Sequence, residues 1–213
     1  MTFIPDWPTI VQFALATLVI AITPGPDMTL FVGRALSAGR SAGFACMLGA
    51  MTGIVIHTTL VAIGLSALIV ASPQAFLLLK TGGALYLVWL AYQAIRYGSA
   101  FSPEKRAAQS PTLLGNWATG LGINLLNPKI ILFFMTFLPQ FVSASDPHAP
   151  GKLFFLGLLF IPLSLPVTVP MVIAADRVAG LLKRSPKVTR VVDYIFAGVF
   201  SAFALKIITA QAK

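Results

Sequence analysis

Two charged residues stand inside stretches of sequence that are otherwise oily, and each directly follows a proline. Asp27 closes the run Thr23-Pro24-Gly25-Pro26-Asp27, and Lys129 closes Asn124-Leu125-Leu126-Asn127-Pro128-Lys129. A charge at the centre of a membrane helix costs about 2.5–3.5 kcal/mol on insertion scales, so it is kept where it faces a partner, a polar cavity or a cargo. Proline inside a helix removes a backbone donor and clashes with the preceding turn, yet it suits the first position of a new helix. Each motif therefore reads as a break, with the helix restarting at Pro26 or Pro128 and with Gly25 or Asn127 at the N-cap, where asparagine is favourable. A restarted helix presents unsatisfied N–H groups and roughly half a positive charge, which together favour a carboxylate. Lys129 adds a full positive charge, and Asp27 offers a seat for an ammonium. The set matches a zwitterionic amino acid. The competing reading is internal: Lys129 reaches Asp27, or each charge is held separately, for the stability of the fold alone.

The two motifs also match one another. Pro26 and Pro128 are 102 residues apart, and the same shift carries Asp27 onto Lys129, Leu30-Phe31 onto Leu132-Phe133 and Ala16-Thr17 onto Ala118-Thr119. One half of the chain repeats the other, with a discontinuous helix in the corresponding place of each, as expected of a secondary transporter site.

The elements that must position these residues are membrane spans. The 213-residue chain is 57% hydrophobic and 10% charged, against about 25% charged in a soluble domain, and its mean hydropathy is +0.88. Apolar runs at 9–33, 42–71, 76–96, 113–138, 152–175 and 191–211 each exceed the roughly 20 residues that cross a bilayer. The expected fold is an all-α integral membrane protein of six transmembrane helices in a single domain. Repeat 1 covers about 9–96 and repeat 2 about 113–211, joined by a cytoplasmic connector at 97–112. No Lys or Arg precedes Arg34, so a cleaved signal peptide is not expected.

Charge sets the orientation. The 1–2, 3–4 and 5–6 connectors carry Arg34, Arg40, Arg96, Lys105, Arg106, Arg177, Lys183, Arg184, Lys187 and Arg190, against Lys80, Lys152, Lys206 and Lys213 on the other side. The positive-inside rule places the first group in the cytoplasm and both termini outside. Three helices per half is an odd number, so the second repeat is inverted relative to the first. The net charge of +9 thus reports topology, not nucleic-acid binding. Measured from the middles of their spans, the breaks are offset by about 11 Å along the membrane normal, a gap that suits a small amino acid better than a direct Asp27–Lys129 contact.

Other positions carry weaker signals. His57, near the middle of the second run, is more often a core histidine satisfied by a neighbouring helix than a proton relay, although histidine titrates near physiological pH. Asn116 and Asn124 share nearly one face of the fourth run, and Asn124 is expected to line the site or to satisfy freed backbone groups. Gly39, Gly43, Gly49 and Gly53 form a small-residue track that marks close helix packing, within one chain or in a homodimer. Phe31, Phe133 and Phe134 flank the breaks, with lipid contact as their default. Pro162, Pro166 and Pro170 predict a kinked fifth helix able to act as a gate. The single Cys46 precludes an intrachain disulfide, and no cysteine–histidine cluster suggests a metal or redox cofactor.

The PGPD break, the glycine-spaced second run, Gly82-Gly83-Ala84-Leu85-Tyr86-Leu87 leading to Ala91-Tyr92 and Arg96, and Asn124-x-x-Asn127-Pro128-Lys129 followed by Phe133-Phe134 and Pro139-Gln140-Phe141 resemble the LysE/RhtB translocators. The resemblance covers nearly the whole chain. It implies a multi-pass protein of the bacterial inner membrane that exports amino acids such as lysine, arginine, threonine, homoserine or leucine, driven by the proton gradient. It also implies that Pro24, Gly25, Pro26, Asp27, Asn127, Pro128 and Lys129 belong to the functional core. The partners expected are an amino-acid substrate, membrane lipid and protons, with no cofactor and no nucleic acid. The alternatives are export of another small zwitterionic or cationic solute or of a metal ion. No GxxxxGK[ST], HExxH or GxSxG occurs, which argues against ATP drive and against an intramembrane enzyme.

Overall fold

The computed structural model describes residues 3–71, 112–143 and 146–184, with scattered helical positions between 74 and 96 and between 187 and 202. Most of the third and sixth apolar runs, and the 97–112 connector apart from Thr112, lie outside the described residues. Among those described, all regular structure is helical. Helix α1 (Trp7–Ile22) and α2 (Pro26–Ala38) form one span bent by 51°. Helix α3 (Arg40–Ala71) follows after one residue, Gly39, whose φ of 88° takes the left-handed turn that glycine makes without steric cost. Helix α4 (Leu113–Leu126) and α5 (Pro128–Leu132) form a second bent span, which runs on through a π turn at Phe133–Phe137 and a 3-10 turn to Phe141, with a bend of 53°. Helix α6 (Ala149–Ile173) and the short α7 (Ala175–Arg184) complete the described elements. Helix α3 and α6 are each long and apolar enough to cross a membrane unbroken, and the two bent pairs qualify as spans when each is taken whole.

The helices break and start where local chemistry requires. Thr112 caps α4 by accepting the Gly115 N–H at 3.1 Å. Past Lys129 the expected plain helix to residue 138 is not kept. Leu138 donates its backbone N–H to Phe133 O, one residue beyond helical register, and Pro139 then has no N–H to continue the ladder. The three prolines of the fifth run do not break α6, which is continuous over 25 residues with Pro162, Pro166 and Pro170 on an exposed stripe.

Packing centres on α3, which lies against α4 and α6. A Cβ built on Gly49 or Gly120 would collide with backbone of the facing helix, at Trp117 and Cys46 respectively, so the α3–α4 contact is backbone against backbone. The small-residue track is therefore used inside the chain. Its contacts also fix directions. Cys46 meets Gly120 and Gly53 meets Asn124, so α3 and α4 run parallel. Thr58 meets Gly157 and Gly43 meets Val172, so α6 runs opposite to α3. The starts of α3 and α7 thus share one end of the molecule, and Phe3 sits against Gly151 at the other. At that second end Lys152 pairs with Asp146 at 2.5 Å, holding its carboxyl below the usual carboxylate range.

An aromatic cluster fills the core beside the breaks. Phe13, Phe133, Phe134, Phe137, Phe141 and Phe160 pack in tilted and edge-on pairs with ring centroids 5.0–5.9 Å apart. Phe133 and Phe134 are fully buried, and Phe31 is buried against the cavity described below. The expected lipid contact for these three is corrected: once the spans bend, the rings flanking each bend turn inward.

Candidate functional site

The two breaks leave backbone carbonyls without their helical partners; those of the first are closed by Lys129 from the other bent span, and that of the second by Asn127 of its own span. In the first break, Pro24 has no N–H to give to Ile20 O, four residues back. Thr23 directs its N–H and its hydroxyl to Val19 O at 3.1 and 2.7 Å, leaving Ile20 O and its own carbonyl to others. The Lys129 ammonium takes both, donating to Ile20 O at 3.1 Å and Thr23 O at 2.8 Å. In the second break, Pro128 has no N–H for Asn124 O. The Asn127 N–H serves it at 3.1 Å, with His57 Nε2 3.5 Å away. Asn127 caps the restarted helix as its type predicts, its Oδ1 accepting the Lys129 N–H at 3.1 Å. Gly25 adopts ordinary extended backbone; its need is for space, because an added Cβ would stand 3.0 Å from Lys129 Nζ.

The reciprocal contact runs from Asp27, whose Oδ2 accepts a hydrogen bond from Asn124 Nδ2 at 2.8 Å. Asp27 and Lys129 each bond to uncharged groups and not to one another. The sequence-based offset of about 11 Å between the breaks is too large. From the observed helix limits the same arithmetic gives about 7 Å, and the long Lys129 side chain spans the rest. The breaks touch instead of standing apart as separate walls. Three side-chain atoms here are buried without a hydrogen-bond partner: Asp27 Oδ1, Asn124 Oδ1 and Asn127 Nδ2. Such groups are rare in folded proteins, and each calls for an explanation.

Asp27, Asn124 and Lys129 line one cavity of about 60 Å³ between α1, α2, α3, α4, α5 and α6. His57 and Asn127 are buried and do not line it, and Pro24, Gly25, Pro26 and Pro128 belong to the adjoining breaks without lining it. The sequence-predicted residues are thus gathered at one place. His57 stacks on Phe134 at 5.8 Å beside Asn124 O, the setting of a core histidine satisfied by a neighbouring helix. Other lining residues were not anticipated: Met28, Met47, Met51 and Met171, with Ser164 and Thr168. A signal was present for two of them, since Met47 and Met51 follow Gly43 at successive four-residue steps on one face of α3, and Gly43 packs against Val172 of α6.

Two bent spans meet at a buried cavity that both charges line, and the class is a helical membrane protein with discontinuous spans, the place where membrane translocators hold their sites. The chain belongs to the LysE type translocator family, whose model matches residues 18–211. It is 30% identical over 203 residues to a Vibrio cholerae serotype O1 protein described as an uncharacterized membrane protein, covering 94% of this chain and 96% of the relative. It is 29% identical over 188 residues to the homoserine/homoserine lactone efflux protein of Salmonella typhimurium, and equally to that of Salmonella typhi, covering 88% of this chain and 90% of each. No solved structure matches the chain.

Proposed function

We propose that this protein is a secondary exporter that carries amino acids or close derivatives out across the bacterial inner membrane, coupled to protons. The observation that carries the reading is the pairing of Asp27 and Lys129 in one cavity without a bond between them. Lysine has three N–H donors. Two of Lys129's are spent on Ile20 O and Thr23 O, which leaves one for a substrate carboxylate. Asp27 lines the same cavity, and its buried Oδ1 has no hydrogen-bond partner, so its carboxylate can accept from a substrate ammonium. The efflux named for the Salmonella relatives is of compounds of this amino-acid type. A divalent metal cargo fits less well, because Lys129 places a positive charge beside the cavity's acid.

The topology proposed with it is one domain of six spans in two inverted repeats, with both termini outside. The contacts at the breaks support inversion, since Asp27 meets Asn124 while residues 20 and 23 meet Lys129, so the bent spans run in opposite directions. Arg40 and Arg177 lie at one end of the molecule, as the charge count requires of a cytoplasmic face. Rocking of one repeat against the other would alternate access, with Asp27 carrying the proton. Should two copies pair as a homodimer, they do so through surfaces other than Gly49 and Gly53, which α4 already covers.

The test is transport of labelled homoserine in proteoliposomes under an imposed pH gradient. Asp27→Asn keeps the shape and the Asn124 contact but cannot exchange a proton. It is expected to weaken exchange of substrate across the membrane without abolishing it, and to remove acceleration by the gradient. Acceleration that survives in this variant excludes Asp27 as the proton carrier.

A further inference from the structure

The cavity continues well past the charged groups. Asn124 presses on Gly53, which puts the charged end level with Ile54 on α3. From there the lining follows α3 through Met51 to Met47, about 10 Å at the helical rise per residue, and α6 through Ser164 and Thr168 to Met171. Met28 and Phe31 close it from α2. Four of the chain's six methionines therefore line this one cavity. The two hydroxyls are committed to their own helix, Ser164 Oγ donating to Ile161 O at 2.8 Å and Thr168 Oγ1 to Ser164 O at 3.1 Å. Asp27, at the opposite end, is the acid of the lining. Among the described residues, this half offers thioether and aromatic surface, no free hydroxyl donor and no anion for a second amine.

We propose that the methionine-lined half is the side-chain subsite, and that it selects neutral apolar side chains of the aliphatic or thioether kind ahead of hydroxyl- or amine-bearing ones. The proposal rests on the exporter reading. Methionine is unbranched and polarizable and repacks around different shapes, so the subsite takes several such side chains. Norleucine extends the homoserine side chain with apolar carbon in place of a hydroxyl, and at the usual worth of buried methylene groups this favours it by about tenfold.

The experiment compares half-saturating concentrations of norleucine, methionine, homoserine and lysine for the wild-type protein in proteoliposomes. Norleucine and methionine are expected at about tenfold lower concentration than homoserine, with lysine not carried. Met51→Gln and Met171→Gln are expected to shrink that gap to about threefold or less, and Met51→Leu to keep it. Homoserine or lysine carried as well as norleucine overturns this inference and leaves the exporter reading standing. So does an unchanged gap in folded glutamine variants; should these not fold, the wild-type ranking alone decides. Transport of none of the four overturns the exporter reading, and this inference with it.

Discussion

Lys129→Met is expected to abolish efflux and to cost about 1–3 kcal/mol of stability, the penalty for stranding a buried carbonyl without a donor. The variant keeps the length and apolar stem of the side chain and removes the donors to Ile20 O and Thr23 O. The two consequences can be separated. Pro24→Ala returns an N–H four residues after Ile20, the donor an unbroken helix would supply. Placed in the Lys129→Met background, it is expected to recover part of the stability and none of the transport. Thermal unfolding in detergent, followed by size-exclusion fluorescence, reads the first quantity, and vesicle efflux reads the second. Full stability in Lys129→Met would show that the ammonium does not hold the first break, and normal efflux would remove it from the site.

Gly49→Ala should be among the most damaging small substitutions in the chain. Its methyl group would overlap the Trp117 carbonyl and crowd the Leu121 nitrogen, both backbone of α4. A flexible side chain could turn away, but backbone yields only if the helices separate, and overpacking of this kind costs about 1–3 kcal/mol or more. Gly64→Ala is the control, since a Cβ there meets nothing within 4 Å; it is expected to be neutral or to stabilise by up to about 1 kcal/mol through helix propensity. Equal melting temperatures for the two variants would contradict the close α3–α4 contact.

What could be read ahead of the structure follows from which residues act locally. Pro26 and Pro128 act on their own backbone, so the restart points and the capping role of Asn127 were legible to the residue. Charge inside oily sequence singled out Asp27 and Lys129 for the same reason, and both line the one cavity. The partners of these groups were not legible, because they depend on how two bent spans cross. Nothing local says that Lys129 closes the gap Pro24 opens 105 residues earlier, or that Asn124 turns its amide to Asp27. The methionines escaped notice because the residue is as common in plain cores as in adaptable cavities. Phe133 and Phe134 misled because an apolar side chain suits lipid and protein interior alike.

The closure of the first break by Lys129 has a consequence for how the protein is made. The first bent span leaves the ribosome long before residue 129 is synthesised, and until then Ile20 O and Thr23 O lack the donor that the finished molecule supplies. A carbonyl without a partner in hydrocarbon is costly enough to be avoided. The nascent first half is therefore expected to wait in a provisional conformation, straighter or less deeply inserted, and to take its final bend only when its sister half arrives. A chain ended ahead of Leu113 should enter the membrane yet stay open to proteases around residues 20–27, and co-expression of the separate second half should close that window.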